Sequence, residues 1–251
     1  MLAEQRQHYI LEKISHDGAL SISELVEQLA VSRETIRRDL NLLATRGLLL
    51  MTHGGALAAN HREPDVDVRE TSNAEAKHQI GLRAAQLVPD GASLIIDSGS
   101  TTLALARSLL ERRRLTIYTN DLRTCLLLGR RNENQVTLLG GELSDNEDAT
   151  FGLDTLHQLT QYHADIAFIG AGGITADAYL TDYTRAAAEL RGSMIRAASV
   201  AVVLADCSKF GRTAPVRISH FSQVRYVISE RKPDAKFRKS LLARGPELII
   251  A

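Results

Sequence analysis

From residue 75 onward, continuous apolar runs alternate with amphipathic stretches, and that alternation leaves few folds open to the chain. The apolar runs fall at 93–96, 115–118, 136–139, 166–169, 200–204, 224–228 and 248–250. Helical spacing of apolar residues fills most of the intervals, at 76–87, 102–111, 122–130, 153–161, 184–198 and 234–243. A strand that is apolar throughout, rather than at every second position, has both faces covered. Strand and helix in turn predict an α/β domain with a doubly wound sheet over residues 75–251. No internal repeat or low-complexity tract interrupts the pattern.

Residues 1–57 follow a different grammar. Leu11 and Ile14, then Leu25 and Leu29, then Ile36, Leu40 and Leu43 recur at helical spacing, which predicts three short helices. Gly18 punctuates the first, Ser21 with Glu24 has capping-box spacing for the second, and Ser32 is placed to cap the third. Gly47 ends the third helix. An apolar run at 48–51 and the pair Gly54 and Gly55 then predict a short hairpin. Residues 58–74 are polar, contain Pro64, and read as a linker that becomes extended or helical.

Composition narrows the function. At 251 residues the chain has room for two unequal domains. Lys plus Arg equals Asp plus Glu at 30 each, and zero net charge argues mildly against a polyanionic partner. The distribution argues the other way. Residues 1–60 carry six basic and seven acidic side chains, but residues 31–54 carry four arginines against two acids. Cys125 and Cys207 lie far apart without partner spacing, so neither a disulfide framework nor a cysteine zinc site is expected. The N-terminus has Glu4 and Glu12 and no apolar core of a signal sequence, and the most apolar stretch, 199–205, is far short of the ~20 residues of a membrane span. A cytoplasmic protein is expected, with no metal, no cofactor and no membrane partner.

Residues 31–46 give the sharpest local signal. On a helix, Ile36, Leu40 and Leu43 face inward, Arg33 and Arg37 lie one turn apart, and Arg38 stands beside them. A helix-turn-helix needs cations near the start of its second helix, where side chains reach base edges and phosphates in the major groove. Thr35 is short enough to meet a thymine methyl or a phosphate, and Arg33 or Arg37 can fork onto guanine. A solvated basic face is the plainer reading of the arginines alone. The preceding helix and the following hairpin favour DNA.

The string SISELVEQLAVSRETIRRDLNLLATRGLL, followed by HGGA, resembles the winged helix-turn-helix of the DeoR-type repressors of bacterial sugar metabolism, nearly without gaps across residues 6–56. The resemblance implies double-stranded operator DNA as partner, with Ser32, Arg33, Thr35, Arg37, Arg38 and His53 as contacts. Met51 stands where family members often carry a wing arginine, which puts a wing phosphate contact in question.

In the second region, the string 97–102 (DSGSTT) follows a predicted strand and opens a predicted helix. Such a turn offers backbone N–H groups, hydroxyls and a helix N-terminus to an anion; it is equally a Ser/Thr-rich helix cap. Asp121, Gly141, the glycines at 170–173 and Lys209 fall on other loops at strand C-termini, where open α/β sheets bind ligands. IDSGSTT, TND, LLGGEL, FIGAGGI and ADCSKFG resemble the effector domain of the same family, as does the helix around Arg69, Asn73, Lys77 and Ile80. That resemblance implies a fold related to ribose-5-phosphate isomerases and a phosphorylated sugar as effector; a homodimer or homotetramer is expected because one small winged helix buries too little DNA surface for tight specific binding. The resemblance places phosphate on the loop of Ser98, Gly99, Ser100, Thr101 and Thr102, with Lys77, Asp121 and Lys209 as further candidates; Asp97, Gly141 and Gly172 join the expected site from their own places at the strand ends. Cys207 replaces the histidine usual before Ser-Lys. The alternative is a sugar-phosphate isomerase with an appended DNA module, for which Asp97, Asp121 or Glu189 would have to shuttle a proton; no tightly spaced acidic pair favours it. A dinucleotide sensor lacks its GxGxxG signature.

Overall fold

The computed structural model describes residues 2–17, 19–46, 48–52, 54–58 and 63–251. The chain divides into two compact units, Met1–Glu63 and Pro64–Ala251. Gly18, Gly47 and His53, to which the sequence assigns two punctuating roles and a DNA contact, lie outside the described residues.

The first unit runs α1 (Ala3–Asp17), β1 (Ala19–Ser21), α2 (Ile22–Leu29), α3 (Arg33–Thr45), β2 (Leu49–Thr52) and β3 (Gly55–Ala58). The expected hairpin is there as β2 and β3. It is joined by a strand the sequence did not announce, β1, which pairs antiparallel with β3 and completes a three-stranded sheet in the order β1-β3-β2. Three residues are too few for a periodicity to register. Ile10, Ile14, Leu25, Ile36, Leu40, Leu43 and Leu49 form the core. The capping box on α2 is closed in both directions, Glu24 N to Ser21 Oγ at 3.1 Å and Ser21 N to Glu24 Oε2 at 3.1 Å. Between α2 and α3 the chain turns through Ala30 at φ 51°. A buried ion pair, Arg6 with Asp39, fastens α1 to α3, and Gln7 adds a hydrogen bond to the same carboxylate at 3.0 Å.

The second unit opens with α4 (Val66–Thr71) and α5 (Ala74–Ala85). Residues 64–74, read from sequence as linker, thus lie in this unit and contain a helical turn and a half. There follow β4 (Ser93–Ile96), α6 (Ser100–Ser108), β5 (Thr116–Thr119), α7 (Leu122–Leu128), β6 (Gln135–Leu138), β7 (Glu142–Leu143), β8 (Thr150–Phe151), α8 (Leu153–Leu159) and β9 (Ala164–Ile169). The remainder is β10 (Gly173–Ile174), β11 (Leu180–Asp182), α9 (Arg185–Arg196), β12 (Ala198–Leu204), β13 (Val216–Arg217), β14 (Val224–Ser229), α10 (Ala235–Arg244) and β15 (Glu247–Ile250).

Seven strands form one parallel sheet in the order β15-β14-β12-β9-β4-β5-β6. The winding starts at β4, proceeds outward to β6, returns to β9 on the other side of β4, and proceeds outward again. Both faces are covered. Ile95, Ala167, Ile169, Ala201 and Val203 pack with Leu190, Met194 and Ile195 of α9 on one side. Their strand neighbours Leu94, Ile96, Phe168, Val202 and Leu204 pack with Ile80 of α5 and Leu103 and Leu105 of α6 on the other. This is the physical reason the strands read as continuously apolar. The short pairs β7-β8 and β10-β11-β13 are antiparallel additions.

Candidate functional site

In the first unit, α3 presents the charged surface. Ser32 caps it, accepting from Thr35 N at 3.2 Å, and its hydroxyl also meets that of Thr35 at 2.9 Å. Arg37 and Arg38 are exposed and meet no hydrogen-bonding or ionic partner among the described residues. Arg33 differs: its Nη2 donates to Ser23 Oγ of α2 at 3.0 Å. The sequence groups these arginines together; the structure leaves two in solvent and ties the third across the turn. Met51 is exposed on β2.

In the second unit the winding order of the parallel strands reverses between β4 and β9, and in open α/β sheets the crevice at such a point, outside the strands' carboxyl ends, is where ligands bind. Asp97 ends β4 there and is fully buried. Its Oδ2 accepts from Arg191 Nε at 2.6 Å and from Gly170 N, at the end of β9, at 2.9 Å. Its Oδ1 is buried without a partner among the described residues. Burial pushes the Asp97 carboxyl up from 3.8 to about 6, outweighing the Arg191 guanidinium and the Gly170 amide that favour the anion. Arg191 also pairs with Asp182 at the end of β11, so one buried cation is clamped between two carboxylates.

The loop continues through Gly99, whose φ of +131° and ψ of 165° belong to a region side chains avoid. It enters α6, where the first intrahelical bond runs from Leu103 N to Gly99 O at 2.9 Å. The amides of Ser100, Thr101 and Thr102 precede that bond and have no helical acceptor. Thr102 Oγ1 turns back to Gly99 O at 2.9 Å, whereas the hydroxyls of Ser100 and Thr101 meet no partner among the described residues. These amides, two hydroxyls without partners among the described residues and the positive end of a nine-residue helix make an anion cradle.

Ser98 looks elsewhere: its hydroxyl donates to Glu147 Oε2 at 2.7 Å. Arg69 of α4 donates to Glu147 Oε1 at 2.8 Å, and its Nη1 stands 3.9 Å from where a Cβ on Gly99 would lie. Lys77 is buried and bonds the carbonyls of Arg69 and Ser72, so it locks the α4–α5 joint rather than facing out; burial holds its ammonium below the usual lysine range. Asp121 caps α7 through Thr124 N at 2.6 Å, while its Oδ2 is buried without a partner among the described residues; burial raises its carboxyl. Gly141, at φ +150°, has no room for a side chain, since a Cβ there would run into Thr155 Oγ1. Gly172 packs against the Tyr183 ring. Lys209 is half-buried on the turn after β12, where Asp206 accepts from Asn73 Nδ2 at 3.1 Å. Cys207 Sγ donates to Arg231 O at 3.3 Å.

Sequence reasoning missed Arg191, Asp182 and Glu147. Arg191 did carry a signal. Its neighbours at helical spacing, Ala187, Ala188, Met194 and Ile195, are all apolar, and all are buried, so the arginine sits on the inward stripe of α9. A charge there needs a buried partner.

Comparison with known proteins decides the family. The model for the DeoR-like helix-turn-helix domain matches residues 6–62, and that for the DeoR C terminal sensor domain matches residues 72–231. The chain belongs to the DeoR family. Members similar to it include the glycerol-3-phosphate regulon repressor of Escherichia coli K12, 34% identical over 93% of this chain and 93% of that one. The repressor of the same description from Haemophilus influenzae is 35% identical over 91% of this chain and 90% of its own. Among solved structures, ribose 5-phosphate isomerase A from Methanocaldococcus jannaschii is similar over 55% of each chain, at 23% identity and a TM-score of 0.41. A DeoR-family chain is a DNA-binding transcriptional regulator with a separate sensor domain, and α3 and the cradle fall one in each. Among the described residues no helix is long and apolar enough to cross a membrane, and no group of His, Cys, Asp or Glu is placed to hold a metal.

Proposed function

We propose that this DeoR-family regulator represses a carbohydrate-metabolism operon in the cytoplasm, as a homodimer or homotetramer released from its operator by a phosphorylated sugar or polyol. The observation that carries the effector class is the cradle at the β4/β9 switch point. Amides and hydroxyls of Ser100 and Thr101 suit a phosphate, while Asp97 Oδ1 and Asp121 Oδ2, without partners among the described residues, suit ligand hydroxyls. The similarity to glycerol-3-phosphate regulon repressors makes glycerol 3-phosphate the first compound to test. On the DNA side, Arg37 and Arg38 reach the operator directly, and Arg33, Ser32 and Thr35 act at the start of α3. Release requires the effector to bind two arrangements of the regulator with unequal affinity, by a coupling of about 1–3 kcal/mol.

A proton-shuttling isomerase is disfavoured by how the carboxylates are engaged. Asp97 is clamped by Arg191, Asp121 caps a helix, and Glu189 pairs with Arg185 on the exposed side of α9. The test is a thermal-shift panel on the full-length chain, comparing glycerol 3-phosphate and hexose phosphates with their unphosphorylated counterparts. A ligand at a hundredfold excess over its Kd stabilises by about 2.7 kcal/mol. A panel in which no phosphorylated compound outperforms its parent overturns the effector class. Turnover of ribose 5-phosphate would restore the isomerase.

A further inference from the structure

The donors beside the cradle are already engaged by an acid. Glu147 lies between β7 and β8, is nearly buried, and takes the Ser98 hydroxyl on one carboxylate oxygen and the Arg69 guanidinium on the other, at 2.7 and 2.8 Å. Arg69 overlies the loop at Gly99. An anion entering the cradle therefore meets a guanidinium that a carboxylate already neutralises, and meets that carboxylate's like charge where water is scarce.

Resting on the reading of this loop as a phosphate site, we propose that Glu147 competes with the effector's phosphate for Arg69 and Ser98. Its effect is to raise the affinity that any anion must bring from its other contacts to occupy the cradle. Inorganic phosphate gains only the cradle and is penalised by the carboxylate. A phosphorylated polyol also offers hydroxyls to Asp97 Oδ1, which is fully buried beside the cradle and has no partner among the described residues, and so overcomes the penalty. The contest also reaches the chain leading to the first unit. Arg69 belongs to α4, which begins three residues after Glu63; its Nε donates to Pro64 O at 2.9 Å, and Val66 N donates to Asn146 O beside Glu147 at 3.2 Å. Passing Arg69 from carboxylate to phosphate changes the bonding of the segment that enters the DNA-binding unit.

The test is calorimetric titration of the full-length chain and its Glu147→Gln variant with inorganic phosphate, glycerol 3-phosphate and glycerol. The variant should bind both phosphate compounds at least about tenfold more tightly than the wild type, a gain of about 1.4 kcal/mol, and glycerol no differently. If the wild type binds glycerol 3-phosphate and the variant binds it equally or more weakly, the phosphate reading stands and the competition is overturned. If neither protein binds either phosphate compound, the reading of the loop falls and takes this proposal with it. Should the variant not fold, a crystal structure of the wild type with glycerol 3-phosphate decides. Arg69 on the phosphate with Glu147 off Ser98 supports competition, and an intact Arg69–Glu147 pair beside bound phosphate overturns it.

Discussion

The surface of α3 and the crevice of the sensor unit use the same side chain in opposite ways. On α3, Arg37 and Arg38 stand in solvent without partners among the described residues, whereas in the sensor unit Arg191 is buried between Asp97 and Asp182. An arginine left in water keeps its hydration and is ready for a phosphate backbone. An arginine taken inside must be neutralised by the protein itself, and then holds elements together. The first unit also holds the second kind, since Arg6 of α1 is buried against Asp39 of α3 while Arg37 and Arg38 on that helix point out. Burial, more than charge, decides which cations bind a partner and which build the fold.

The contrast can be broken by substitution. Arg191→Met strands two buried carboxylates and should cost about 3–5 kcal/mol of stability in urea unfolding; a loss below about 1 kcal/mol would mean the clamp is not structural. Asp97 gives a pH test. Its carboxyl titrates near 6 in the folded protein and near 3.8 when unfolded, so between those values the folded state alone holds the proton. Its burden on stability is therefore full above pH 6 and gone below about 4. Relative to Asp97→Asn, the wild type should gain up to roughly 3 kcal/mol as pH falls from 7.5 to 4, and parallel stability curves would contradict it.

Outside the core the expectations reverse. Arg37→Ala should weaken operator binding by about 1–3 kcal/mol while moving the unfolding free energy by no more than about 0.5 kcal/mol. Lost stability with unchanged operator affinity would overturn the distinction between the two arginine classes. Ser32→Ala removes the cap on Thr35 N and should cost about 1 kcal/mol of stability, checked by thermal unfolding.

The sheet was legible because its strands are buried on both faces, and each of the seven apolar runs became a strand in it. The caps at Ser21 and Ser32 were legible because a cap is a local bond between residues three apart. The strands β1, β7, β10 and β13 were not, because two or three residues carry no period and form only when a distant partner arrives. The cradle's own residues could be named from the strand-to-helix turn, but not what surrounds them. Ser98 meets Glu147 across 49 positions and Asp97 meets Arg191 across 94, and no local pattern encodes those pairs. Lys77 and Asp121 carry the right chemistry for a ligand, yet the fold spends their principal bonds on backbone carbonyls and a helix cap.

The placement of α4 has a practical consequence for building hybrid regulators. Exchanging one family member's sensor for another's requires a cut, and sequence alone invites one anywhere across 58–74. The bonds of Arg69 to Glu147, of Glu70 to Arg107 and Arg123, and of Asn73 to Asp206 all tie that stretch to the α/β unit. A junction placed at residue 63 transplants a sensor with its native charge partners, whereas one at residue 74 joins a foreign α4 to loops that did not evolve to hold it.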